Sequence, residues 1–402
     1  MSALLRRKLA DPARLLGPIA FLTAFLAIYL PLSLAGLLPA GALLALIART
    51  VGNRPAIRLH FPSLACLAGL LLVATASLAW SYAADETLSK LPRTAATVAL
   101  GVFFIAATAA FQDREKRVIC DFLVAGFAVA VVVILAERVT GGIVIPSGIS
   151  AESMAEFMNK FNRVLTLLAM LVWPVAVRLA RIRLRFGILA VAATLATMLL
   201  FNNNAAIAAL MLGGAIYLCG LTLPKATAIL MMIVFAASIV LAPTISRTLP
   251  EPKALFTEME LPRSSYHRLL IWRFTAEKIQ ERPVLGWGFN TSRAIPGGQK
   301  SLDVSEAALP LHPHNAALQI RLEMGLLGVL FAAGLAATAT WAAYRHSRGR
   351  VERAGALATT TAGYTIAMLS FGIWQSWWVS ALFLTAAYAV AACGGRQSTP
   401  AS

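Results

Sequence analysis

Residues 122–136 read FLVAGFAVAVVVILA, a run without one charged or strongly polar side chain. They form the centre of an apolar stretch, 117–137, that is close to the ~20 residues a helix needs to cross hydrocarbon. Of the 402 residues in the chain, 59% are apolar and 13% are charged, and the mean hydropathy is +0.74. A soluble domain has roughly 45–50% apolar and 25% charged residues. The sequence therefore predicts an all-α polytopic membrane protein and excludes a soluble enzyme, a secreted disulfide scaffold and a disordered chain.

Further stretches of the same kind bring the prediction to about twelve transmembrane helices. The predicted spans are 15–31, 32–48, 62–82, 92–111, 117–137, 163–180, 186–201, 204–221, 225–243, 315–343, 355–373 and 376–393. Pro31 and Pro39 interrupt the first apolar tract. Residues 15–48 are therefore either two spans or one broken tract.

Basic residues are distributed unevenly between the connections. With the N-terminus inside, the cytoplasmic segments hold more than half of the 35 Lys and Arg residues. The positive-inside rule then places both termini in the cytoplasm and accounts for the net charge of +17, so nucleic-acid binding is not expected. The chain divides into transmembrane helices over 1–243, a large periplasmic loop over 244–314, and further helices with a cytoplasmic tail over 315–402. A second, shorter outer segment covers 140–162.

The large loop contains a predicted helix. Apolar residues recur at helical spacing over 264–280, and Ser264 or Ser265 can cap its start. Pro283, followed by two glycines, ends it. The loop is therefore an ordered, functional segment rather than a disordered one.

The loop leads into the pattern His-Asn-x9-Gly-x-x-Gly, formed by His314, Asn315, Gly325 and Gly328. This pattern resembles the signature of bacterial O-antigen ligases, with matching spacing. Other stretches similar to those of relatives are 80–82 (WSY), 162–163 (NR), 268–272 (RLLIW), 283–288 (PVLGWG) and 372–378 (GIWQSWW). One departure is the turn at 202–204, which is all Asn where relatives often have Ser or Arg, so no role is carried over to it.

The resemblance implies a metal-independent inverting glycosyltransferase of the bacterial inner membrane, without a cofactor. Such an enzyme, embedded among membrane lipids, takes an O-antigen glycan from a polyprenyl (undecaprenyl) diphosphate donor. It transfers the glycan to the lipid A–core oligosaccharide acceptor on the periplasmic face. An O-antigen or exopolysaccharide polymerase that uses polyprenyl-linked glycans is an alternative, although polymerases tend to have two sizeable outer loops. A transporter or channel without chemistry is a third reading.

An acceptor hydroxyl needs a base, and His314 is the predicted catalytic base because the ordinary pKa of His, about 6.5, suits proton abstraction near neutral pH. Asn315 can orient it. His312 precedes Pro313, which biases it to an extended conformation and favours a positioning role. The alternatives are a structural His at a helix end and a His-x-His metal pair, which lacks a third ligand nearby. The four cysteines show no metal-site or disulfide spacing; they are Cys66, Cys120, Cys219 and Cys393.

A departing diphosphate needs cations, and a guanidinium binds phosphate oxygens bidentately. Arg268 is predicted in the first turn of the loop helix, where a cation opposes the helix dipole and an anion site is favoured. Arg163 begins a span on the outer side, where a snorkelling anchor is the alternative. Arg321 lies on nearly the same helix face as His314, with an interfacial ion pair to Glu323 as the alternative.

Two further groups of residues are expected to serve as membrane anchors. Arg93 stands at an outer helix end and is interpreted as an anchor rather than a site residue. Trp374, Trp377 and Trp378 are interpreted as part of an aromatic belt, with a platform for sugar or lipid as the alternative.

Overall fold

The computed structural model describes residues 3–140, 151–258, 263–301 and 307–394, and helices dominate them. Each predicted span coincides with one helix, namely α2 to α10 and α13 to α15. The helices are α1 (Ala3–Leu9), α2 (Pro12–Leu26), α3 (Leu34–Val51), α4 (Phe61–Ala76), α5 (Ala84–Ala109), α6 (Asp113–Thr140), α7 (Ala151–Ala180), α8 (Leu184–Leu200), α9 (Asn204–Thr222), α10 (Pro224–Thr248), α11 (Pro252–Glu258), α12 (Arg263–Glu281), α13 (Ala316–Arg345), α14 (Arg350–Leu369) and α15 (Ser376–Cys393). Residues 141–150 of the shorter outer segment lie outside the described residues.

Nine helices within the described part of the chain have the length and apolar composition to cross a membrane. Two more, α2 and α8, are apolar but shorter. A bilayer leaves backbone polar groups no partner but each other, and an α-helix satisfies them within one segment. The prediction of an all-α polytopic membrane protein is confirmed.

The first apolar tract forms two helices rather than one broken span. α2 ends at Leu26, and a short 3₁₀ turn at Pro31–Ser33 leads into α3. A side-chain nitrogen of Arg54, just after α3, lies 3.5 Å from the carbonyl oxygen of Ala10, just before α2. The distant ends of α2 and α3 therefore meet, and the pair forms an antiparallel hairpin.

α7 lies at the centre of the bundle. Its residues 164–172 are all buried, which agrees with a run that contains no charged side chain. It packs against α2, α6, α8, α9, α14 and α15. The loop helix α12 packs on α10 and α13, and so it sits over one end of the bundle.

α12 begins at Arg263 rather than at the predicted cap, Ser264 or Ser265. This start places Arg268 in the second turn, beyond the free N–H groups of the first four residues. The helix-dipole argument for Arg268 is therefore wrong, and its role depends on its neighbours. The predicted end is confirmed, since α12 stops at Glu281, two residues before Pro283.

α13 is interrupted at Gly325, which has φ 62° and ψ −150°. A Cβ at Gly325 would lie 2.0 Å from the carbonyl oxygen of Val284 in the turn after α12. Gly286 in that turn has φ 72°, and a Cβ there would come within 2.6 Å of the Glu323 backbone. Two backbones approach so closely here that neither glycine can carry a side chain.

The interruption releases backbone groups of α13, and the turn after α12 satisfies them. The Trp287 N–H donates to the Leu322 oxygen at 2.9 Å, the Gly288 N–H to the Glu323 oxygen at 2.8 Å, and the Leu326 N–H to the Val284 oxygen at 2.9 Å. Buried backbone groups need such partners, so these bonds attach the large loop to the start of α13. The close approach accounts for Gly286 after the loop helix and for Gly325, the first glycine of the signature.

Candidate active site

His314 lies at the junction of the large loop and α13 in a strained conformation. Its φ is 54°, a region that few residues other than glycine adopt, and such strain concentrates at functional sites. Its Nδ1 lies 2.5 Å from the carbonyl oxygen of Ser370. A carbonyl oxygen only accepts, so Nδ1 carries the proton and donates it. The other ring nitrogen, Nε2, is then an unprotonated acceptor, as a general base requires.

Burial lowers the pKa of His314 to about 4. The bond to Ser370 opposes this change, while the charges of Arg268 and His267 add to it. The pKa of His314 therefore lies well below the ordinary value of about 6.5 that the sequence suggested. The neutral ring, which can take a proton, prevails at neutral pH.

His312 is buried and holds the backbone of His314. Its Nδ1 accepts the backbone N–H of His314 at 3.2 Å, and the two rings lie 4.3 Å apart. Burial, followed by the charges of His314, Arg293 and Arg268, lowers the pKa of His312 to about 3. Because its Nδ1 accepts the backbone N–H of His314, His312 is suited to positioning His314.

Two contacts fix the turn that carries the histidines. The Asn315 side chain caps α13 by accepting the Leu318 N–H at 3.0 Å. It is therefore the Ser370 carbonyl, and not the Asn315 side chain, that orients the His314 ring. The indole N–H of Trp272 in α12 donates to the Pro313 oxygen at 2.8 Å. Trp272 thus connects the loop helix to the His-Pro-His segment. Among the described residues, no group of three or more His, Cys, Asp and Glu could hold a metal ion.

Arg268 is half-buried near both histidines, and its charge affects the pKa of each. No carboxylate within the described residues forms an ion pair with it. Burial consequently lowers the pKa of Arg268 without an opposing acid. A desolvated cation without a counter-charge is a place where an anionic ligand binds favourably.

Three more cations extend this charge. Arg293 lies close enough to His312 to affect its pKa, and Lys90 on α5 is within electrostatic range of Arg93 and Arg293. In the described part of the chain, none of the three has an ion-pair partner. Lys90 and Arg293 were not among the site residues predicted from the sequence, and Arg93 was interpreted as an anchor. The available signal was that Lys90 and Arg93, one turn apart at a helix end predicted to be outer, run against the positive-inside rule.

Arg163 is connected to His312 through the side chains of Trp377 and Gln375. Its guanidinium lies 5.8 Å from the centre of the Trp377 ring. The Trp377 indole donates to Gln375 Oε1 at 3.0 Å, and Gln375 Nε2 lies 3.2 Å from His312 Nε2. The all-Asn turn after α8 has a structural role, since Asn203 caps α9.

Glu323 is fully buried and accepts hydrogen bonds from three parts of the site. The donors are the Asn290 N–H (2.9 Å), the Ser292 N–H (3.3 Å), the Ser292 hydroxyl (2.5 Å), Gln319 Nε2 (3.1 Å) and Trp374 Nε1 (2.5 Å). The interfacial ion pair with Arg321 is therefore wrong, and Arg321 has no ion-pair partner in the described residues. Glu323 instead connects the turn after α12, the start of α13 and the segment before α15. The sequence showed only an acid near a membrane boundary.

The aromatic-belt interpretation is wrong for the Trp cluster. Trp377 and Trp378 are buried inside the protein, with 6% and 0% of their surfaces exposed. Trp374 donates to Glu323 and lies 4.8 Å from Phe289, ring centre to ring centre. These rings pack within the site rather than anchor it in the headgroup region.

Comparison with known proteins agrees with this geometry. Residues 188–333 match the family model described as O-antigen ligase. A protein of Rickettsia conorii named "Putative polysaccharide ligase RC0486" is 28% identical over 69% of this chain and 67% of its own length. Relatives with corresponding names occur in Rickettsia prowazekii, with 38% identity over 29% of each chain, and Rickettsia felis, with 32% identity over 42% of each chain.

The family match covers the loop helix, Arg268, both histidines and the interruption at Gly325. It leaves out Arg163 and Trp374, which lie outside the matched residues. The strained His314, the guanidinium of Arg268 and the glycine pair Gly286 and Gly325 therefore all fall inside the matched region. Over residues 188–333, from α8 into α13, the chain is similar to the O-antigen ligase family.

Proposed function

We propose that the protein transfers an O-antigen glycan from a polyprenyl diphosphate to the lipid A–core oligosaccharide, at the periplasmic face of the bacterial inner membrane. The family supports a polysaccharide ligase or polymerase role, and the donor and acceptor are our inference. One observation carries the proposal. A neutral histidine, with Nδ1–H bound to Ser370 and Nε2 available, stands beside a half-buried Arg268 without a carboxylate partner.

The proposed reaction is a single displacement. His314 Nε2 takes the proton from the acceptor hydroxyl as its oxygen attacks the anomeric carbon of the donor glycan. The bond from that carbon to the diphosphate oxygen breaks, and the electron pair leaves with the diphosphate. Attack from the face opposite the leaving group inverts the anomeric configuration.

The protein's own groups supply what each step requires. Arg268 stabilises the negative charge that grows on the departing diphosphate, and Arg293, Lys90 and Arg93 extend the positive field. His312 holds the backbone of His314 in its strained conformation. No step in this scheme calls for a metal ion, so EDTA should leave transfer unchanged.

The polymerase alternative differs in its acceptor. We would supply purified protein in lipid nanodiscs with a glycan on polyprenyl diphosphate, with or without lipid A–core. A ligase forms glycosylated lipid A–core and requires it as acceptor. A polymerase instead lengthens the lipid-linked glycan in its absence. A null strain should likewise lose long-chain lipopolysaccharide while polyprenyl-linked polymer accumulates.

The transporter reading also uses interrupted helices, and α13 is interrupted at Gly325. In transporters, such breaks line a substrate or ion path. Here the released backbone groups bind the turn after α12, so protein backbone fills the break. The interruption of α13 therefore supports attachment of the large loop to the bundle rather than a transport path.

A further inference from the structure

An apolar groove of about 340 Å³ runs between α4 and α5. Its walls include Leu64, Ala68, Leu71, Val98, Ala99 and Val102. A smaller cavity of about 40 Å³ continues it, sharing wall residues such as Leu71 and Val98, and ends against Phe289 and Trp374. The groove thus leads from the part of α4 near its first turns to the aromatic side chains beside the candidate active site.

The end of the groove nearer to the candidate active site lies close in the fold to Lys90 and Arg93. Thr94 lines this end, and its hydroxyl donates to the Lys90 carbonyl at 3.1 Å, which puts Lys90 one turn farther out on α5. Arg93 is next to Thr94 in the chain. Trp374, on the opposite wall, donates to Glu323 in the centre of the site. An apolar path therefore begins where positive charge is available.

We propose that this groove binds the isoprenoid chain of the lipid-linked donor, with its diphosphate beside Lys90 and Arg93. The inference rests on the proposed function and adds a location for the lipid. An isoprenoid chain is bonded directly to its diphosphate. When the diphosphate lies among the cations, the chain must leave along an apolar path that starts there. The groove between α4 and α5 provides such a path, and its apolar wall suits a hydrocarbon without polar groups.

Two alanines offer a matched pair of variants. Ala99 lines the groove, while Ala96, three residues earlier on α5, does not. Both are exposed, so a larger side chain at either position meets no packed neighbour that would unfold the helix. Ala99→Trp should fill the groove, and Ala96→Trp should add the same bulk outside it. On α4, Ala68 and Ala65 form a second pair of the same design.

The first measurement compares donors that carry the same glycan diphosphate on a long polyprenyl chain or on a short farnesyl chain. Ala99→Trp should lower kcat/KM for the long donor roughly tenfold more than for the short one, which corresponds to losing contact with about two buried methylene groups. Ala96→Trp should keep the wild-type ratio. Equal ratios in Ala99→Trp and Ala96→Trp would overturn the proposal.

The second measurement does not depend on transfer. Polyprenyl phosphate with a diazirine in its chain is photolysed with the protein in nanodiscs, and mass spectrometry locates the label. We expect label on α4 and α5, competition by polyprenyl diphosphate, and loss of label in Ala99→Trp but not in Ala96→Trp. Equal competition by bulk phospholipid would overturn the proposal, since the groove would then hold bilayer lipid only. Specific labelling without any transfer would refute the proposed function and retain the groove.

Discussion

Two groups of cations, one at each end of the helix bundle, differ in their partners. At the end that holds Ala3 and Gly394, four arginines on different segments pair with carboxylates. The pairs are Arg54 with Glu115, Arg178 with Asp121 (2.7 Å), Arg181 with Glu352 (2.8 Å) and Arg348 with Asp113. At the loop end, Arg268 and Arg293 are within electrostatic range of the histidines, and Lys90 and Arg93 extend this charge. None of these four cations has an ion-pair partner among the described residues.

The contrast is local rather than a shortage of acids at the loop end. Arg273, one turn beyond Arg268 on α12, pairs with Glu251 at 2.6 Å. Glu323 lies within the site itself, but five hydrogen bonds occupy its oxygens. Arg268 and Lys90 are half-buried, whereas Arg93 and Arg293 are exposed. A half-buried cation without a counter-charge costs free energy, so an anion that arrives with the substrate would bind favourably beside Arg268 and Lys90. The four paired arginines join segments of the fold. At the same end, the buried Arg49 and Lys116 bind the carbonyl oxygens of Pro55 and Ala109 instead of a carboxylate.

The largest expected effect is the sidedness of the two ends. Lys300 and Arg350 are both exposed, the first in the large loop and the second at the other end. We predict that Lys300→Cys, in a cysteine-free background, reacts with a membrane-impermeant maleimide in cells with a permeabilised outer membrane. Arg350→Cys should react only after the inner membrane is opened. Reaction of Arg350→Cys in intact spheroplasts would contradict the predicted orientation, in which Arg350 is cytoplasmic and the large loop is periplasmic.

Removal of the base should have the next largest effect. His314→Ala should reduce transfer by roughly 10²–10⁴-fold, the usual contribution of general acid–base catalysis. His312→Ala should cost less, because the His314 ring keeps its bond to Ser370. Transfer by purified variants measures both, with EDTA as a parallel condition. Full activity of His314→Ala would end the general-base proposal, and inhibition by EDTA would revive a metal site.

The unpaired guanidinium can be tested against a paired one on the same helix. Arg268→Lys keeps the charge and loses the bidentate geometry, so kcat/KM should fall by roughly 10–100-fold, the equivalent of about 1.5–3 kcal/mol for a hydrogen bond to a charged group. Arg273→Lys should stay within about twofold, since an exposed ion pair contributes little. Equal effects on both would remove Arg268 from the diphosphate site. A smaller loss is expected for Arg163→Ala, because Arg163 acts through Trp377.

Much of the fold followed from the sequence because the bilayer sets the length and polarity of each helix. The loop signature likewise led directly to His314, since its pattern is local. The attachment of residues 284–288 to the break at Gly325 could not be predicted, because it joins segments about forty residues apart. The role of Glu323 depends on the same tertiary approach. Arg93 was interpreted as an anchor for a related reason, since only the folded chain shows which charges remain unpaired.

A substitution of Glu323 tests whether its hydrogen bonds hold the segments of the candidate site together. Glu323→Gln replaces one acceptor oxygen by an N–H₂ group, which faces donors and leaves at least one unsatisfied. That change should destabilise the protein by about 1–3 kcal/mol and lower activity, because the three segments of the site shift together. Thermal unfolding and kcat/KM in nanodiscs measure both effects. The control is Glu251→Gln, which changes an exposed carboxylate and should do neither. Wild-type stability and activity in Glu323→Gln would show that its hydrogen bonds do not hold the site.

The smallest expected effect is a change in the acid limb of activity. The positive charge of Arg268 disfavours the imidazolium, so it lowers the pKa of His314, which is about 4 with burial as the largest cause. In Arg268→Gln the pKa of His314 should therefore rise, and the residual kcat/KM should begin to fall at higher pH than in the wild type. Because burial remains, the limb should move by less than about one pH unit. Profiles of kcat/KM between about pH 4 and 7, which report groups of the free enzyme and substrate, measure this shift. Arg181→Ala, which breaks a pair at the other end, should leave the limb in place and so controls for ionisation of the donor. A limb that does not move in Arg268→Gln would mean that the unpaired cation and the base act separately.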